Sequence, residues 1–183
     1  MERDEALRVL EEADCLLDQA AVDQAISRMA ADITERIGKL KPLVFCVMNG
    51  GLIFCGQLLT RLAFPLEVGY LHATRYGRET IGGDLEWQAV PQVEMAGRTV
   101  LLVDDILDEG VTLKALVDEC LARGARQVLT AVLVDKQHDR KVLPGYRADF
   151  TGLEIPDRFV FGYGLDYDGM WRNAAGIYAV KGL

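Results

Sequence analysis

Two short runs, Thr99–Val103 (TVLLV) and Gln127–Val134 (QVLTAVLV), limit the fold of this chain more than any other feature. They are β-branched and leucine-rich with no polar alternation, as expected for strands buried on both faces. That burial is typical of parallel sheets with helices packed on each side. A third run, Leu43–Met48, leads into Asn49-Gly50-Gly51 and then an apolar helical stretch, Leu52–Leu62. Strand, glycine turn and helix in that order form half of a βαβ unit. Residues 66–73 read as a further strand, and Thr112–Arg123 as a helix stopped by Gly124. The alternation predicts an α/β fold whose central, mainly parallel sheet is flanked by helices.

The flanks read differently. Over residues 4–37, Leu7, Leu10, Leu16, Leu17, Ala20, Ala21, Ile26, Met29, Ile33 and Ile37 recur near the helical period, so residues 1–40 are expected to be a helical region ended by Lys41-Pro42. Residues 74–87 are polar and glycine-rich, which predicts a long mobile loop or a loose hairpin. The tail offers short strands at Asp149–Leu153, Phe159–Gly162 and Tyr178–Val180. A length of 183 residues suits one domain spanning 1–183.

Composition removes several function classes. The net charge of −8 opposes a nucleic-acid partner, which calls for a basic face. No apolar run approaches the length of a membrane span, and the acidic, amphipathic start is unlike a secretory signal, so a soluble cytoplasmic protein is expected. The four cysteines form no CxxC pair and read as free, buried thiols in a reducing compartment.

In open α/β sheets ligands bind beyond the carboxyl ends of the strands. The residues to examine are therefore Asn49, Gly50 and Gly51; Asp104 and Asp105; and Asp135 and Lys136. The segment Val103-Asp104-Asp105-Ile106-Leu107-Asp108-Glu109-Gly110-Val111-Thr112 places two carboxylates at a strand end, then a glycine turn, then a helix start. Free amides and the helix dipole make that turn a phosphate cradle. The acid pair can accept from vicinal hydroxyls or hold Mg²⁺ through water. A sugar phosphate satisfies both halves; the alternative is an acidic strand end before an N-capped helix. A dinucleotide site fits poorly, because GxGxxG is not matched.

This segment resembles the phosphoribosyl-pyrophosphate-binding motif of type I phosphoribosyltransferases. The tail from Asp149 to Tyr167 (DFTGLEIPDRFVFGYGLDY), with Trp171-Arg172-Asn173, resembles the C-terminal signature of the hypoxanthine-guanine members of that family. The resemblance covers residues 43–183. It implies a type I phosphoribosyltransferase-like sheet with a small hood built from the chain ends, and a purine-reading region at 149–183. It also implies purine salvage: transfer of 5-phosphoribosyl to hypoxanthine or guanine, with Mg²⁺ as cofactor, in a homodimer or homotetramer.

Residue by residue, the resemblance makes Asp108 the acid–base residue near purine N7, and gives Asp104 and Asp105 the ribose hydroxyls and the magnesium shell. The amides of Glu109, Gly110, Val111 and Thr112, with the Thr112 hydroxyl, would hold the 5′-phosphate. Asn49, Gly50 and Gly51 would form the pyrophosphate loop, with a cis bond expected between Met48 and Asn49. Lys136 would donate to the 6-oxo group, Phe159 would stack on the purine, and the Val160 backbone would read its edge. Asp166 would ligate a second magnesium ion beside the purine, and Arg172 would meet the pyrophosphate. Arg75-Tyr76 would begin a closing lid over residues 74–84. The chain departs from the family at Asn49, where lysine is common; at Glu109, where a small hydroxyl residue is usual; and at Arg75, where serine is usual.

The lysine assignment is sound chemistry, since a lysine has only donors and would reject the amino group of adenine. On sequence grounds alone, a solvated lysine at a strand end is the plainer alternative. Xanthine differs from guanine at position 2 and stays open. The family fold also serves as an RNA-binding regulator of pyrimidine operons, a reading that the acidic charge opposes.

Overall fold

The computed structural model describes residues 1–75, 85–89 and 93–182. Among the described residues thirteen elements follow one another: α1 (Arg3–Glu12), β1 (Asp14–Leu17), α2 (Gln19–Ile37), β2 (Leu43–Val47), α3 (Leu52–Leu59), β3 (Glu67–Arg75), β4 (Leu85–Ala89), β5 (Thr99–Leu107), α4 (Val111–Ala122), β6 (Gln127–Gln137), β7 (Phe150–Pro156), β8 (Val160–Phe161) and β9 (Ile177–Ala179).

The main sheet has the order β4-β3-β2-β5-β6-β7. Its five strands from β3 to β7 run parallel, and β4 pairs antiparallel with β3. The apolar runs behave as their composition demands. Along β5, Leu101 and Val103 enter the core beneath α2 and α3, whereas Val100 and Leu102 enter the core beneath α4. The amphipathic face of α2 supplies Ile26, Ile33 and Ile37, each at most 1% exposed. Each such side chain contributes roughly 1.5–3 kcal/mol by leaving water. In chain order the parallel strands read 2-1-3-4-5, so connections diverge between β2 and β5, and the crevice at that switch point is where a ligand is expected.

The N-terminal region departs from the single helical stretch that the periodicity predicts. Asp14–Leu17 is a strand, pairing antiparallel with β9 and completing a three-stranded sheet, β1-β9-β8. The physical cause is twofold: a distant partner supplies the ladder, and the Asp18 carboxylate accepts from the Ala21 N–H (2.8 Å), starting α2 afresh. This small sheet, built from both chain ends, is the expected hood.

Candidate active site

A second departure concerns the acid pair. Asp104 and Asp105 lie within β5 rather than beyond it, because β6 continues alongside and pairs Asp104 with Val132 and Leu107 with Asp135. Lys136 likewise lies inside β6. The ladder thus carries the carboxylates to the mouth of the switch-point crevice on rigid backbone.

That crevice encloses about 490 Å³. Its lining includes Asn49 and Gly50 after β2, His72 on β3, Asp104, Asp105 and Asp108, the Glu109–Thr112 turn, and Arg172 from the C-terminal region. The Met48–Asn49 peptide is cis, as the family pattern implies. Gly50 is required sterically, since a Cβ there would lie inside the Asp105 carboxylate. Gly51 is buried, and a Cβ would meet the Val103 carbonyl oxygen at 2.6 Å.

Across the crevice, α4 starts at Gly110, whose φ of +85° an L side chain rarely adopts. No side chain among the described residues caps this helix, so its first amides face the cleft free to meet an anion. Thr112 lines the same cleft, and Glu109, the unusual acid here, is exposed to solvent. Asn49 is exposed as well.

The acids are electrostatically distinct. Burial, then the neighbouring carboxylate, pushes Asp104 well above the ordinary carboxylate range. Burial also raises Asp105, against the pull of its hydrogen bond with Asp104 and of the Arg172 guanidinium. Asp108 moves the other way. Its burial would raise it, but hydrogen bonds from Lys136 and His138 outweigh that and hold it below the usual value. Lys136 Nζ donates to Asp108 Oδ2 at 2.8 Å, so the expected base reader and the expected acid–base group are joined.

Other expected residues come from the C-terminal part of the chain, and of these Arg172 lines the cleft. Arg172 donates to the Gly164 carbonyl at 2.6 Å and pairs with Asp166 Oδ1 at 2.5 Å. The second oxygen of Asp166 accepts from the Gly169 N–H, so both are engaged by protein groups. Phe159 is 46% exposed and packs edge-on against Tyr167, with ring centroids 5.5 Å apart. An exposed aromatic face is what a stacking platform requires. Val160 is buried in β8, opposite Ala179. Lys136, Phe159, Val160 and Asp166 do not line the crevice itself. Arg75 closes β3, whereas Tyr76 and the rest of the expected lid through residue 84 lie outside the described residues.

Sequence reasoning missed His138 and Lys141. Lys141 Nζ donates to the Leu107 and Asp108 carbonyls (2.9 and 2.6 Å) and to Asp135 Oδ1 (2.7 Å). The Val142 N–H donates to the Glu109 carbonyl at 2.7 Å. Segment 138–142 therefore draws three successive carbonyls, those of residues 107–109, to its own side. No local signal marked His138, which lies in the bend just past β6.

Among the described residues no cluster of three or more His, Cys, Asp or Glu could hold a metal ion. Mg²⁺ does not demand one, since it keeps several waters and is commonly held by one or two carboxylates plus substrate phosphates. Adjacent Asp104 and Asp105 at the mouth of the cleft fit that donor set.

The phosphoribosyl transferase domain family matches residues 12–168. The chain belongs to this family. The phosphoribosyltransferase is 32% identical over 167 residues to a hypoxanthine-guanine phosphoribosyltransferase of Bacillus subtilis, covering 91% of this chain and 92% of the relative. It is 30% identical over 166 residues to a hypoxanthine-guanine-xanthine phosphoribosyltransferase of Tritrichomonas foetus, covering 91% and 90%. Its fold superposes on the crystal structure of a hypoxanthine phosphoribosyltransferase from Staphylococcus aureus with a TM-score of 0.88. That likeness spans 98% of this chain and 97% of the other, and at 24% identity it speaks to fold alone.

Proposed function

We propose that this phosphoribosyltransferase acts in purine salvage, joining hypoxanthine or guanine to phosphoribosyl pyrophosphate and releasing IMP or GMP with pyrophosphate. The observation that carries the reading is one carboxylate, Asp108, which lines the same cleft as an uncapped helix start and is held by a lysine able to read a 6-oxo group.

In this reading the amides of Glu109–Thr112 and the Thr112 hydroxyl grip the 5′-phosphate, and Asp104 and Asp105 face the ribose hydroxyls. The Asn49–Gly51 loop receives the diphosphate by backbone amides. Arg172 leaves Asp166 for the diphosphate, and the released Asp166 carboxylate would be the residue to hold a second magnesium ion. Asp104 and Asp105 would hold a first Mg²⁺, which would supply positive charge against the departing diphosphate. Lys136 turns from Asp108 to the 6-oxo acceptor, Phe159 stacks on the ring, and the Val160 backbone reads its edge. Purine N9 then attacks the anomeric carbon as the diphosphate leaves, and Asp108 takes the N7 proton. Most of the acceleration comes from aligning the three parties and stabilising the leaving charge. A cytoplasmic homodimer or homotetramer completes the proposal, with small molecules rather than nucleic acid as partners.

The test is a base panel. Protein, Mg²⁺ and phosphoribosyl pyrophosphate are mixed with hypoxanthine, guanine, xanthine or adenine, and nucleotide is measured. IMP and GMP are expected, and no AMP. The variant Lys136→Met should lose its preference for 6-oxo bases. Absence of both IMP and GMP, or unchanged base selectivity in that variant, would overturn the assignment.

A further inference from the structure

Asp108 is held at both oxygens, by donors of different kinds. Lys136 Nζ donates to Oδ2 at 2.8 Å, and the His138 ring contacts Oδ1 through Nε2 at 2.7 Å. The other ring nitrogen settles which proton the imidazole carries. The Arg140 N–H donates to His138 Nδ1 at 3.0 Å, so Nδ1 is an acceptor with no hydrogen. The ring is therefore neutral, its one proton sits on Nε2, and it points at Asp108 Oδ1.

The two donors differ in freedom. The imidazole side chain is 4% exposed and pinned at both nitrogens. Its neighbour Arg140 is anchored by a bidentate pair with Asp157 at 2.7 and 2.9 Å. The lysine ammonium ends a four-carbon stem with rotatable bonds. Other charges within electrostatic reach are Glu109 on the phosphate turn, Arg140 on the histidine's own segment, and Asp157 in the turn between β7 and β8. Lys141 meets only the backbone carbonyl of Asp108, so no further donor competes for the carboxylate oxygens from that side.

We infer that His138 is a positioning residue that holds Asp108 Oδ1 throughout turnover, leaving Oδ2 as the oxygen that exchanges the Lys136 ammonium for the proton on purine N7. This deepens the reading above and rests on it. When Lys136 moves to the 6-oxo group, Oδ2 loses its donor while Oδ1 keeps the imidazole. The carboxylate then stays ionised and keeps its orientation with one lone pair open. The N7–H bond breaks as the Oδ2–H bond forms, and the electron pair of the broken bond remains in the purine ring. Without His138, departure of the lysine would leave a carboxylate with no donor and free to rotate. Binding and proton transfer would then oppose each other.

Four measurements test this. The chain has two histidines, His72 and His138, so ¹⁵N-resolved imidazole spectra are easily assigned by a His72→Gln control. At pH 8 the His138 signals should show a bare Nδ1 and a protonated Nε2. The reverse tautomer, or an imidazolium, would sink the inference without any reference to catalysis. His138→Ala should lower kcat about tenfold or more, a share of what acid–base groups supply, with KM for hypoxanthine changed less than threefold. His138→Asn, which keeps an N–H donor, should recover part of that loss.

The ring also borders a separate cavity of about 700 Å³ lined by Tyr146 and Arg147. Imidazole added to His138→Gly should therefore restore turnover, while leaving Asp108→Asn unrescued. A loss that neither His138→Asn nor imidazole repairs would mean the residue serves only folding, and the inference falls. If Asp108→Asn itself turns over normally, the acid–base reading fails first. Inert His138 variants beside an inactive Asp108→Asn overturn this inference alone.

Discussion

Replacing Lys141 with methionine keeps the stem of the side chain and deletes only the ammonium. That ammonium donates to the Leu107 and Asp108 carbonyls and to the Asp135 carboxylate, at 2.6–2.9 Å. The Lys141 side chain is 11% exposed and that of Asp135 only 2%, so water is poorly placed to substitute. Removing one partner of a buried ion pair costs about 3–5 kcal/mol, because the surviving charge stays desolvated. Two carbonyls losing a donor add about 2 kcal/mol at the low end of that penalty, and burial of the methionine tip returns roughly 1.5 kcal/mol. The net is about 4 kcal/mol out of a total stability of roughly 5–15 kcal/mol. For a chain of this size that corresponds to a fall in Tm of about 8–16 °C. Thermal and urea unfolding at fixed protein concentration measure it. The double variant Lys141→Met/Asp135→Leu should regain part of the loss, since apolar residues often replace buried ion pairs without penalty. A single-variant loss under about 1 kcal/mol would show that the ammonium behaves like a surface charge. A double variant no more stable than the single one would show that the stranded carboxylate is not the source of the cost.

Three further outcomes follow from the structure. Asp104→Asn should stabilise the unliganded protein at pH 7 while impairing ligand binding. A carboxyl whose folded pKa is raised holds its proton more tightly when folded, so its stabilising contribution is full below the unfolded value and lost as pH rises through the folded one. The advantage of the asparagine variant in urea unfolding should therefore grow as pH rises through that raised value and fade on acidification towards about pH 4; an advantage independent of pH would contradict it. Gly50→Ala must displace the Asp105 carboxylate, and steady-state kinetics should show kcat/KM lowered by about 100-fold; activity within a factor of three would show that the loop yields. A thiol reagent should modify one of the four cysteines quickly in the native protein, because Cys15 is exposed and Cys46, Cys55 and Cys120 are buried. Burial pushes the Cys120 thiol up to about 11, which slows it further; rapid reaction of two or more thiols would contradict the packing.

The acid pair, the glycine turn and the helix start were legible because each is a local pattern whose chemistry acts within a few residues. So were the two-sided burial of β5 and β6 and the break at Gly124. The carboxylate partners were not. Asp108 meets Lys136 and His138, residues 28 and 30 positions away in the chain. Nothing near Asp108 announces which donors β6 and the bend after it will bring beside it.

What the amino-acid order decides by itself is the type of each central element and the kind of anion its turns can hold, since apolar period and free amides are properties of short segments. Tertiary structure alone decides the rest. Asp14–Leu17 carries an apolar pattern compatible with helix or strand, and becomes a strand because β9, more than 150 residues later, presents an open edge. Asp104 and Asp105 fall inside a strand because β6 runs on beside them. Hydrogen bonds across a sheet are made between partners that only folding brings together, so their identities, and with them the working geometry of Asp108, are written in no single stretch of the chain.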